Sequence, residues 1–103
     1  MDELQQALGV EIRNRRLELK DVTQDEFSRR SGVSRATIAN IERGRQSVTI
    51  GILYRLSRAL SMDAGTLLNK AVSKAYPNED KTILLSDVDN KPEVLNTLNK
   101  YIK

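Results

Sequence analysis

Residues 23–44 read TQDEFSRRSGVSRATIANIERG, and the punctuation of this stretch decides the fold. Thr23, with Glu26 three places later, is a Thr-x-x-Glu capping box that starts a helix over 24–31. Gly32 tolerates positive φ, so the chain can leave that helix and turn sharply. Ser34 is the N-cap of a further helix over 35–43, in which Ile38 and Ile41 point inward, and Gly44 supplies the stop.

Working outward, Leu4, Leu8, Ile12 and Leu19 follow helical spacing with Arg16 on the same face, which predicts a first helix over 2–19. Lys20-Asp21-Val22 breaks that pattern. After the loop Arg45-Gln46-Ser47-Val48, Thr49 caps a fourth helix carrying Leu53, Leu56 and Leu60, and Asp63 caps a fifth carrying Leu67 and Leu68. The sequence thus predicts a mainly all-α domain of five helices over 1–71, followed by an extension over 72–103. In the extension, 76–80 reads as a loop, 82–85 as a short strand or more loop, and Pro92 opens a helix with Leu95, Leu98 and Ile102 on one face.

Composition narrows the function classes. The 103 residues contain no Cys and no His, which removes disulfides, thiolate and imidazole ligands and the usual general base. Metal and triad chemistry are nearly excluded, and no cofactor or enzyme activity is expected. Asp87 and Asp89 form an Asp-x-Asp pair, but beside Asn90 and Pro92 a turn and helix cap accounts for them better than a metal-dependent nuclease. Without a basic-then-apolar leader or an apolar run of membrane length, the expected compartment is the cytoplasm and no membrane partner is expected.

The net charge is only +3, yet all ten Arg lie between Arg13 and Arg58. Over 12–62, eleven Lys and Arg face five acids. Such a concentration of Arg is the footprint of a nucleic-acid binder, although a solvated surface would look the same from charge alone.

Two short helices separated by a turn containing Gly form a helix-turn-helix. The details Thr23-Gln24-x-x-Phe27-Ser28, Gly32-Val33-Ser34 and Thr37-Ile38-x-x-Ile41-Glu42-Arg43-Gly44 resemble the Cro and phage-repressor family, also called XRE-type regulators. The likeness continues through Thr49, Leu53, Ala59-Leu60 and Leu67-Leu68, covers about two thirds of the chain and implies a lambda-repressor-like DNA-binding domain. Two departures stand out: Ser28 where Ala is commoner, and Arg15 where Leu is usual.

At about 100° per residue, Ala36, Asn40 and Arg43 lie opposite the Ile38 and Ile41 face, and Arg35 at the helix start can reach around to join them. Arg35 suits guanine O6 and N7, Asn40 suits adenine N6 and N7, and Ala36 and the Thr37 methyl suit a thymine methyl. Gln24, Ser34, Arg43, Arg45, Gln46 and Ser47 are the candidate phosphate contacts. For all of these, plain solvation is the bland alternative. The resemblance further implies an ion pair between Glu42, expected half-buried, and Arg16.

The simplest mechanism is a homodimer placing two copies of helix 35–43 in successive major grooves of double-stranded DNA, as a repressor or autoregulator. Leucines of the fifth helix and of 92–102 are candidate dimer surfaces, with packing inside one protomer an equal alternative. A rival reading is an antitoxin that binds DNA through the same motif and its toxin through 72–103; a purely protein-binding helical module is a third.

Overall fold

The computed structural model describes residues 2–78, which form five helices. They are α1 (Glu3–Glu18), α2 (Gln24–Ser31), α3 (Arg35–Glu42), α4 (Ile50–Ala59) and α5 (Ala64–Ala75). No strand occurs among the described residues. The strand or loop expected at 82–85 and the helix expected at 92–102 lie outside them.

Every helix begins at a side-chain cap. Asp2, Thr23, Ser34, Thr49 and Asp63 are extended in backbone and accept from the amide three residues on, at 2.8–3.2 Å. Each such bond satisfies one of the orphan donors of a helix start and is worth about 1 kcal/mol.

The helix ends are as local in origin. Gly32 closes α2 in the left-handed conformation, with φ 73°. Gly44 (φ 75°) follows α3, its N–H reaching Ile41 O and that of Arg45 reaching Asn40 O, the two bonds of a Schellman motif. The same motif ends α4, with Ser61 (φ 53°) in the place usually given to Gly.

The core gathers one face from each helix: Ile12 of α1, Phe27 of α2, Ile38 and Ile41 of α3, Leu56 of α4 and Leu67 of α5 are all essentially inaccessible. Val22, Val33 and Val48 plug it from the connecting segments. α1 packs most extensively on α5, while α2 sits between α3 and α4. Leu67 is therefore consumed inside the protomer, and Leu68 is half-buried.

Two α1 residues serve a purpose that their local sequence conceals. Arg15 donates from Nε to Leu60 O (3.0 Å) and from Nη2 to Ser61 O (3.3 Å), so it caps the carbonyl end of α4. That contact explains a charged residue at a position where an apolar one is usual. Gly9 is buried where α1 crosses α3, and a Cβ there would lie 2.1 Å from Ile41 O.

On the outer face of α2, Glu26 is bound by both Arg29 and Arg30. The hydrogen bond from Arg29, then that from Arg30, lowers its carboxyl from 4.5 to about 2.

Gly9→Ala is expected to destabilise the protein by about 1–3 kcal/mol, because the obstacle is backbone that cannot rotate aside. A fall in the urea midpoint at constant slope would register this, and an unchanged midpoint would mean that α1 and α3 can separate freely. For Glu26 the folded-state value is depressed, so its stabilising contribution is complete above about 4.5 and is lost as pH falls toward 2. The stability difference between the wild type and Glu26→Gln should therefore shrink over that window, and the Glu26 carboxyl resonance should titrate near 2 rather than 4.5.

Candidate nucleic-acid interface

α3 owes its placement to an ion pair at its last residue. Arg16 donates from Nε to Glu42 Oε2 and from Nη2 to Glu42 Oε1, both at 2.8 Å, and from Nη1 to Val22 O at 3.0 Å. The Gln24 amide adds a 3.1 Å bond to the same Oε1. The Glu42 side chain is only 2% exposed, which is deeper than the half-burial expected from its angle on α3. The difference arises because Arg16 of α1 and Gln24 of α2 close over it. These bonds, led by the hydrogen bond to Glu42, hold the Arg16 guanidinium more firmly protonated than usual despite burial.

The same contact settles how Gln24 presents itself. With Nε2 turned inward to an acceptor-only carboxylate, the Gln24 Oε1 and one remaining N–H are left for the outside. Gln24, Arg35, Ala36, Ala39 and Arg43 then line one shallow surface hollow between the start of α2 and the outer side of α3. Arg35, Ala36 and Arg43 are exposed, and Gln24 is half-buried.

The remaining candidates stand apart from that hollow. Ser34 accepts from the Thr37 amide at 3.1 Å and donates its hydroxyl hydrogen to Thr37 Oγ1 at 2.8 Å. Its side chain is thereby committed to capping, while the Thr37 hydroxyl keeps its own hydrogen for another acceptor. Asn40 is half-buried on α3.

Arg45 and Ser47 are exposed and Gln46 half-buried in the loop between α3 and α4. Gln5 of α1 holds that loop at both backbone atoms of Val48, accepting from its N–H at 2.7 Å and donating to its carbonyl at 3.5 Å. The contact spans 43 residues of sequence, and no local pattern at Gln5 announces it. The loop is thus fixed at the Schellman turn and at Val48, with Arg45, Gln46 and Ser47 carried between.

The positive charge is distributed less evenly than the count of Arg implies. Arg29 and Arg30 are engaged by Glu26, and Arg15 by α4 and Glu18. Arg43 and Arg45 form no ion pair among the described residues. Arg35 approaches Asp25 of α2 through Nε at 3.3 Å, a neighbour that spacing along α3 does not reveal. Among the described residues no group of three or more acids is placed to hold a metal ion, and no helix is long and apolar enough to cross a membrane.

Residues 12–67 match a protein-family model described as Helix-turn-helix. Over 52 residues the chain is 42% identical to an HTH-type transcriptional regulator of Methanothermobacter thermautotrophicus, covering 50% of this chain and 74% of that protein. It is also 42% identical over 43 residues to the HTH-type transcriptional regulator y4dJ of Sinorhizobium fredii, covering 42% of this chain and 56% of y4dJ. Among solved structures, the crystal structure of the clp gene regulator ClgR from Corynebacterium glutamicum has a similar fold, with a TM-score of 0.66 at 28% identity, covering 84% of this chain and 90% of that one.

Removing one member of the buried pair strands the other charge. Arg16→Ala is expected to cost about 3–5 kcal/mol in urea unfolding, whereas replacing both partners with Met and Leu should recover much of the loss. A loss below about 1 kcal/mol for Arg16→Ala would mean that the pair behaves as a solvated surface bridge.

Proposed function

The chain belongs to the helix-turn-helix family, the matched residues spanning more than half its length, and on that premise we propose that it is a DNA-binding transcriptional regulator which reads a two-fold operator as a homodimer. α3 enters the major groove with its N-terminal residues toward the bases. Arg35, Ala36, Thr37 and Asn40 read base edges. Gln24, Arg43, Arg45, Gln46 and Ser47 anchor the backbone, with Ser34 contributing through its main chain. The protein acts in the cytoplasm, and its work is binding rather than catalysis.

The observation that supports this reading best is the shared hollow, where the Gln24 amide, the exposed Arg35 and Ala36, and Arg43, which has no ion pair among the described residues, meet on one face. A duplex groove needs phosphate anchors flanking base readers, and that face supplies both along the length of α3 and the start of α2. One module of this size buries limited surface on DNA, so a second copy spaced about one helical turn away is the expected source of affinity.

Selection of bound sites from random DNA tests the proposal, because the enriched motif reports base preference and half-site spacing together. Arg35→Ala should lower affinity for the preferred site by about 1–3 kcal/mol and relax choice at one position per half-site. Arg45→Ala should weaken all DNA alike and reduce the slope of log K against log salt by about one. Equal effects of both changes on preferred and random DNA would overturn the division between readers and anchors.

A further inference from the structure

Asp25 stands on the face assigned to DNA, where a carboxylate is out of place. Its side chain is 76% exposed, and the side chain it approaches, that of Arg35, is 63% exposed. An acid in the first turn of α2 suits the helix dipole, yet on this face it also opposes the phosphates. Resting on the reading of α3 as the recognition helix, we infer that Asp25 is a specificity-determining residue that positions the Arg35 guanidinium for guanine.

The geometry of the pair carries the inference. Asp25 Oδ1 meets Arg35 at Nε, 3.3 Å away, and Arg35 donates no hydrogen bond to any described residue. A guanidinium presents its N–H groups along two edges. With the carboxylate lying beside Nε, the terminal Nη1 and Nη2 remain as the fork that matches guanine O6 and N7. A carboxylate on one edge and a base on the other can therefore be satisfied together. Coulomb attraction to Asp25 also biases a long side chain toward this rotamer, so somewhat less freedom is lost when the base is met.

The negative charge has a second effect. Asp25 is the second residue of α2, beside Gln24, so any DNA complex on this face brings the carboxylate into the phosphate field. The repulsion is common to all sequences, whereas the bidentate base contact is gained only where guanine faces Arg35. The repulsion therefore lowers affinity for all DNA, and only the positioning of Arg35 widens the ratio of specific to random binding.

Site selection from random DNA with the wild type, Asp25→Asn, Arg35→Ala and the double variant tests this. Asp25 is exposed and caps no amide, so Asp25→Asn forfeits only a first-turn dipole contribution and should still melt as one cooperative transition, slightly below the wild type. The expected result is that Asp25→Asn binds random DNA more tightly and loses preference, by roughly fivefold, at the position that Arg35→Ala relaxes. The double variant should discriminate there no less than Arg35→Ala alone.

If Asp25→Asn raises affinity for all DNA equally and keeps the wild-type preference, Asp25 is only a surface charge and the inference fails while the regulatory reading stands. If its loss of preference adds to that of Arg35→Ala in the double variant, Asp25 acts independently of Arg35, and the inference again fails. A wild type that enriches no motif would overturn the regulatory reading itself.

Discussion

The bidentate pair between Arg16 and Glu42 ties together every element that the helix-turn-helix requires to be in register. Its guanidinium belongs to α1 and also grips the carbonyl of Val22, just ahead of α2, while its carboxylate ends α3 and also holds Gln24, the first residue of α2. A carboxylate at a helix C-terminus opposes the helix dipole, and burial adds desolvation. Both penalties are met by an arginine that satisfies the two oxygens in a planar fork. A well-packed apolar replacement would serve stability about as well, but would not fix the Gln24 amide in direction. The pair therefore contributes orientation more than free energy.

α1, which lies outside the two-helix motif, proves to be the member that sets everything else in place. Gln5 holds the loop after α3, Gly9 admits the backbone of Ile41, Arg15 caps α4, Arg16 binds Glu42, and Glu11 pairs with Lys74 of α5 at 3.0 Å. Side chains and a missing side chain on one helix thus fix the positions of its neighbours. The arrangement ties the motif to one helix at several separate points, which suits a surface that has to present α3 in a set orientation.

What could be read from the sequence was what local chemistry dictates. Thr23, Ser34, Thr49 and Asp63 each cap an amide three residues away, and Gly32 and Gly44 take the left-handed turns. These choices involve only near neighbours, so the five helices and the inward faces of Ile38 and Ile41 were legible. The contacts of Arg15 and Gln5 span more than 40 residues and depend on the assembled fold. Gly9 within a helix reads only as a weak helix former until α3 is laid across it. The depth of Glu42 was underestimated for a related reason: a helical wheel reports direction on one helix and not what other helices place over it. The Asp25 neighbour of Arg35 was hidden because the turn, not the spacing, brings α2 beside α3.

The same separation between count and placement governs the electrostatics. Eleven cations against five acids over 12–62 suggested a broadly positive domain. Folding directs Arg16 into the core, Arg15 to the end of α4, and Arg29 and Arg30 to Glu26. Arg43 and Arg45 flank the outer face of α3 without an acid partner among the described residues, and Arg35 shares its charge with Asp25. Arg13, Lys20, Arg55 and Arg58 also form no ion pair among the described residues, so six of the eleven cations lack an acid partner there and can each add to a salt-dependent affinity for phosphates. On the proposed reading these charges supply a general attraction to DNA. The few directed contacts of α3, doubled by a second copy, decide where the protein stays.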